Sequence, residues 1–165
     1  MNGMRAITTA GYVGLLRPAP GTWGSALAVG LAVALHALGG FPTLLLATLL
    51  SFALGLWAVA RDTAGAADPD RSEIVIDEVV GQWVTLLPFS GLLWAHGIGG
   101  TILPWPGLLG GFLFFRLFDI WKPWPIRVFD RMKTPFGVMA DDVVAGVFAA
   151  LTLLATGGIA HGFLR

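Results

Sequence analysis

The 165-residue chain contains no cysteine, which excludes disulfides, thiolate metal sites and a cysteine nucleophile. Charge is scarce as well: ten Lys and Arg stand against ten Asp and Glu, 12% of the chain, for a formal net charge of zero. Soluble globular domains carry about 25% charged residues, and a nucleic-acid partner requires a basic surface. Neither description fits. The three histidines, His36, His96 and His161, all stand in stretches without charge. Each therefore reads as a packed or interfacial side chain, and phosphohistidine chemistry and His-rich zinc sites are disfavoured. The N-terminal region has no compact apolar core followed by a small-residue cleavage site, so no removable signal peptide is expected.

What the chain has in abundance is apolar surface, with 56% hydrophobic residues and a mean hydropathy of +0.78. The distribution is more telling than the amount. Seventeen of the 20 charged residues fall in two islands, Arg61–Glu78 and Arg116–Asp142, which hold all ten carboxylates. Residues 18–60, 79–115 and 143–164 carry no charge. A bilayer core takes about 20 apolar residues per helix. The first run then makes two crossings with a turn at Gly39-Gly40-Phe41-Pro42, the second makes two with a turn around Gly97–Gly107, and the third makes one. The expected segments are 24–38, 43–60, 79–96, 107–118 and 143–164, with a kink at Pro88. The fold class is all-α: a polytopic membrane bundle of about five membrane-associated helices, forming one domain over residues 1–165. The alternative is a soluble protein with an unusually apolar core.

Crossing parity places both islands and the N-terminal segment on one side of the membrane. Nine of the ten cations lie on that side and only Arg165 lies opposite, so the positive-inside rule makes it the cytoplasmic face. Trp105, Trp121 and Trp124, near segment ends, suit an interfacial belt. Nothing in the sequence specifies an oligomeric state.

The islands hold the chemistry. Asp77 and Glu78 enter one apolar segment, and Asp141 and Asp142 enter another. Each pair is open to two readings: favourable placement at a helix N-terminus, or hard oxygen ligands of the kind Mg²⁺ prefers. Arg116, Asp119 and Lys122 recur every third residue and would share a helix face until Pro123. That stripe is either a chain of ion pairs or a phosphate clamp with Asp119 as ligand or proton carrier. Arg127 and Arg131 read as headgroup contacts or simple positive-inside charges. In the segment Arg17-Pro18-Ala19-Pro20-Gly21-Thr22-Trp23-Gly24-Ser25, Thr22 or Ser25 can cap a helix, and the glycines admit an anion close to backbone amides.

Four segments together resemble the bacterial phosphatidylglycerophosphatase A family: Pro20–Ser25 (PGTWGS), Asp68–Trp83 (ending IVIDEVVGQW), Phe115–Arg131 (FRLFDIWKPWPIRVFDR) and Gly137–Gly146 (GVMADDVVAG). One departure is the sequence Thr134-Pro135-Phe136-Gly137, where relatives commonly carry a glycine pair; a different loop shape is expected there. The resemblance implies a Mg²⁺-dependent lipid phosphatase of the bacterial inner membrane, its active site facing the cytoplasm. It would hydrolyse phosphatidylglycerophosphate to phosphatidylglycerol and inorganic phosphate. Candidate metal ligands are Asp77, Glu78, Asp141 and Asp142; candidate catalytic residues are Asp119, Lys122 and Arg116. Arg17, Thr22, Ser25, Asp68 and Arg127 are candidate substrate contacts. Two other readings compete. A metal-dependent lipid phosphotransferase would carry a widely spaced D-G…A-R…G…D…D pattern, which is absent, and a small transporter would place ionisable residues at mid-bilayer depth, where this chain has none.

Overall fold

The computed structural model describes residues 3–97 and 102–163, with the side chains of 158–163 left out. The His161 side chain, Arg165 and part of the expected Gly97–Gly107 turn lie outside the described residues. Every regular element is helical: α1 (Gly3–Thr8), α2 (Pro20–Asp62), α3 (Ile76–Ala95), α4 (Trp105–Trp121), α5 (Ile126–Asp130) and α6 (Pro135–Phe163), with a 3-10 turn at Val13–Leu15. No strand occurs among the described residues, in keeping with the all-α expectation.

Helix α2 is a hairpin of two limbs. Gly39 (φ −165°, ψ 20°) and Gly40 (φ 66°, ψ −152°) leave helical geometry between them. Gly40 needs the left-handed region open to glycine, and a Cβ there would meet the Trp94 ring at 2.0 Å. Pro42 follows in the first turn of the second limb, where a missing N–H is tolerated. The first limb runs up α3: Trp83 Nε1 donates to the Ala28 carbonyl at 2.8 Å, and His36 Nδ1 lies 2.8 Å from Ser90 Oγ. The second limb returns past Gly91, which faces Phe41, to Gly55, which packs on Ile76 and Met139. It ends with Asp62 accepting the Thr8 hydroxyl at 3.2 Å. The turn therefore falls where the sequence placed it, and His36 has the packed role expected of it.

The helices outrun the charge-free segments. Helix α2 ends at Asp62, α3 begins at Ile76, α4 ends at Trp121, and α6 begins at Pro135 rather than at 143. The physical reason is that hydropathy stops at a charged residue, whereas the backbone continues wherever that charge finds a partner. Thr134 starts α6, its hydroxyl accepting the Gly137 N–H at 3.1 Å, with Pro135 as first helical residue. The Thr-Pro-Phe-Gly departure is thus an N-cap. Helix α3 stays helical through Pro88.

Ala28, Ala32, Leu44, Val80, Trp83, Leu86 and Met139 form the main core, while Phe115, Ile126, Ala145 and Ala149 form a second under α4 and α5. The outer surface is also apolar, with Leu38, Leu49, Leu113 and Ile120 exposed. Pro20–Asp62 and Pro135–Gly157 are each long and apolar enough to cross a membrane.

Helices α3 and α6 touch backbone to backbone. A Cβ on Gly146 would lie 2.4 Å from the Gly81 carbonyl oxygen, and one on Gly81 would lie 2.6 Å from that of Asp142. Neither neighbour is a side-chain tip that can swing aside. Gly146→Leu is therefore expected to force the helices apart and destabilise the bundle by about 1–3 kcal/mol or more. Thermal unfolding in detergent checks this; an unchanged midpoint would refute the close contact.

Candidate functional site

The α3–α6 contact brings the two acid pairs to one end of the bundle. Asp77 and Glu78 occupy the first turn of α3, and Asp142 lies in the second turn of α6. Carboxylate oxygens of Asp77, Glu78 and Asp142 all lie within 4.8 Å of one another. Asp77 and Asp142 are buried, and Glu78 Oε2 has no hydrogen-bond partner. The start of α2 closes over them. A Cβ on Gly21 would lie 2.3 Å from Glu78 Oε1 and 3.0 Å from Arg116 Nη1, so glycine is what lets this turn sit against the carboxylates.

Helix α4 arrives from the opposite direction and supplies the cation. Arg116 donates to Asp119 at 2.6 Å, one turn apart, with both side chains largely buried. Lys122 does not continue that face as the threefold spacing predicted. The helix ends at Trp121, and Lys122 turns left-handed (φ 48°, ψ 57°), a strained conformation for a residue with a Cβ. From there its ammonium reaches Asp141 at 2.7 Å and Asp130 at 2.5 Å. Asp141 is thus engaged by Lys122 and is not part of the three-carboxylate group. Asp130 was not singled out from sequence. Its only signal was its place in the same charged island as Lys122, and the Pro123–Pro125 turn that folds them together has no periodicity to read.

Electrostatics follow from burial. Glu78 is pushed up to about 8, by burial first, with the charges of Asp142 and Asp119 adding and Arg116 opposing. Burial, then the charge of Glu78, holds Asp77 well above the ordinary carboxylate range. Burial alone would lower Lys122, but Asp130 and Asp141 keep it above its usual value.

The remaining expected residues fall into several settings. Thr22 and Ser25 do not cap α2: the helix starts at Pro20 without a side-chain cap, and the Ser25 hydroxyl donates to the Gly21 carbonyl at 2.9 Å. A proline at the first position already removes one N–H that a cap would serve. Asp141 and Asp142 sit too far into α6 to cap it. Arg17 is exposed. Asp68 pairs on the surface with Lys133 at 2.7 Å, and the hydrogen bond from that lysine lowers its pKa. Arg127 is exposed on α5, where it lines a shallow depression of about 230 Å³ with Trp124, Val128 and Arg131.

The Phosphatidylglycerophosphatase A family model matches residues 6–156 of this chain. The chain belongs to this family. Among its relatives, the Phosphatidylglycerophosphatase A of Haemophilus influenzae is 40% identical over 143 residues, covering 86% of this chain and 81% of that one. The Escherichia coli K12 protein of the same name is 35% identical over 106 residues, 64% of this chain and 55% of its own. A Bacteroides thetaiotaomicron protein, provisionally named a phosphatidylinositol-3-phosphatase, is 36% identical over 82% of this chain and 81% of its own. No solved structure matches.

For a phosphatidylglycerophosphatase A family member the carboxylate group has a physical rationale. Three hard oxygen donors converge, one buried oxygen lacks a partner, and mutual repulsion is relieved only by protons or a cation. That donor set fits Mg²⁺. Without a cation, the folded protein holds protons on Asp77 and Glu78 that the unfolded chain releases. Its stability is therefore greatest below about pH 4.5 with respect to these groups and declines as pH rises through about 8. Unfolding midpoints in EDTA across that window measure the effect; a midpoint that climbs over the same range would contradict a protonated buried cluster.

Proposed function

We propose that this chain is a Mg²⁺-dependent phosphatidylglycerophosphatase, releasing inorganic phosphate from phosphatidylglycerophosphate at a membrane surface. The observation that carries the reading is the convergence of Asp77, Glu78 and Asp142 beside Arg116 and Asp119 in a chain of this family. A divalent cation held by the three carboxylates would polarise the phosphoryl group and acidify a water molecule.

The chain's own side chains do the rest. Arg116, locked by Asp119, faces the carboxylate group with its guanidinium and neutralises charge on the transferring phosphoryl group. Asp119, next to Asp142, accepts the proton of the attacking water. Lys122, held between Asp130 and Asp141, fixes the α4–α5 turn to α6 and adds positive potential at the rim. The start of α2 at Gly21 forms one wall, and bulk water is kept out by the packing of Phe115 and Val75 around the helix ends.

In the bilayer, the two α2 limbs, α3, α4 and α6 supply the five crossings. Hairpin α2 returns the chain to its starting face, and the concentration of Lys and Arg at the carboxylate end supports reading that end as the cytoplasmic face of the inner membrane, with the exposed Trp121 and Trp124 at the interface. The diacylglycerol part of the substrate stays in the lipid, while its terminal phosphate reaches the helix ends.

Purified protein with phosphatidylglycerophosphate and Mg²⁺ is expected to release phosphate, and EDTA to abolish release. Phosphatidylinositol 3-phosphate, assayed in parallel, tests the headgroup that the Bacteroides name suggests; faster turnover of it would displace the proposed substrate. Asp142→Asn and Glu78→Gln should each lower turnover by about a hundredfold or more without loss of membrane insertion. Near-normal turnover in both would show the carboxylate assignment to be wrong.

A further inference from the structure

One turn below the carboxylates, α3 carries a second polar group that the phosphatase reading has not used. Gln82 is fully buried, and neither its amide oxygen nor its amide nitrogen has a hydrogen-bond partner among the described residues. The neighbouring buried polar groups of the same helix are all satisfied. Trp83 Nε1 donates to Ala28, the Thr85 hydroxyl lies 3.0 Å from the Gly81 carbonyl and 3.3 Å from that of Gly146, and Ser90 meets His36. The exceptions on α3 are Gln82 and one oxygen of Glu78.

Those two exceptions are four residues apart, the spacing that stacks side chains on one helix face. Helical side chains also lean toward the N-terminus of their helix, so Gln82 inclines toward the turn that holds Glu78 and Asp77. A direct hydrogen bond between the Gln82 amide and Glu78 Oε2 would satisfy both groups, yet neither has a partner. Buried polar atoms are rarely left so, and two such groups one helical turn apart, one of them in a carboxylate cluster, point to a component that engages both.

We propose that Gln82 is a further binding residue of the carboxylate site, its amide oxygen turned to the divalent cation held by Asp77, Glu78 and Asp142, directly or through one water, and its amide nitrogen free to donate to a phosphoryl oxygen. This rests on the cation reading given under Proposed function. A neutral amide suits the place: it adds an oxygen donor without a fourth negative charge, and unlike a carboxylate it also offers a donor to the anionic group.

Gln82→Met, of similar length and without polar atoms, separates this role from a structural one. Binding of Mn²⁺ to the full-length protein in detergent, followed by the electron paramagnetic resonance of the free ion, is expected to weaken about 10- to 100-fold. The unfolding midpoint of the same variant in EDTA should equal or exceed that of the unsubstituted protein, because an unpaired buried amide has been removed. Gln82→Glu, which keeps an oxygen at the same reach, should retain Mn²⁺ binding. Unchanged Mn²⁺ affinity in Gln82→Met, a lowered EDTA midpoint or failure of that variant to fold, or loss of binding in Gln82→Glu would each overturn the proposal. Absence of Mn²⁺ binding by the unsubstituted protein would overturn it together with the cation reading. Mn²⁺ binding without lipid phosphate release would remove the phosphatase reading and leave Gln82 in place.

Discussion

Where α3 and α6 meet at Gly81 and Gly146, no side chain separates the two backbones, and the position of every carboxylate in the site follows from that approach. Asp142 shares its turn of α6 with the atoms that touch Gly81, so the distance from Asp142 to Asp77 and Glu78 is set by helix contact rather than by flexible side chains. The same contact leaves room for Phe115, which packs against Gly81 and fixes the depth of α4. Arg116, the next residue, is thereby delivered to the rim. Small residues at a helix crossing are a packing device in membranes, where lipid offers no hydrophobic drive for helices to associate. Here the close approach has a chemical consequence, because it brings carboxylate oxygens of three acids within 4.8 Å of one another.

Such compression needs compensation, and the chain supplies it by distribution. Of the ten carboxylates, several are committed to ion pairs. Asp62 binds Arg71, Glu73 binds Arg5, and Asp68 binds Lys133. Asp130 and Asp141 share Lys122, and Asp119 takes Arg116. Among the described residues, Asp77, Glu78 and Asp142 form no ion pair of their own, and Arg116, the cation that faces them, is already held by Asp119. That asymmetry is a stronger pointer to an external cation than the number of acids, since acidic surfaces are common and buried acids without counter-charge are costly.

Much of this was legible in the sequence because hydropathy and charge report on solvent. The turn at Gly39–Pro42, the helical class and the convergence of both islands at one end of the bundle all follow from where charge is absent. The enclosure of Asp77 and Glu78 was legible as well: isoleucine and valine before the pair signal burial. What sequence could not give is the choice between Asp141 and Asp142. Adjacent residues on a helix diverge by about 100°, and which one faces α3 depends on the rotation of α6, fixed by the Gly146 contact and the Thr134 cap. Lys122 was misplaced for a related reason. Threefold spacing predicts a common face only while the helix lasts, and the chain leaves it one residue before Lys122. Asp130 had no signal beyond its place in the charged island, because its partner lies across a turn between two prolines.

Helix polarity completes the account of why the charges divide as they do. The first turn of α3 presents the positive end of its dipole, and Asp77 Oδ1 accepts the Glu78 N–H there at 3.0 Å, which favours acids at this end even before a cation is considered. Helix α4 comes to the same place by its C-terminus, whose carbonyls favour cations, and it is this helix that brings Arg116 and Lys122. An arrangement in which α3 and α4 both arrived by the same end would place acids or cations against an unfavourable dipole. The antiparallel course of α3 and α4 thus places Asp77 and Glu78 at the start of one helix and Arg116 and Lys122 at the end of the next. A single interhelical connection accordingly separates the two kinds of group that phosphoryl transfer requires side by side.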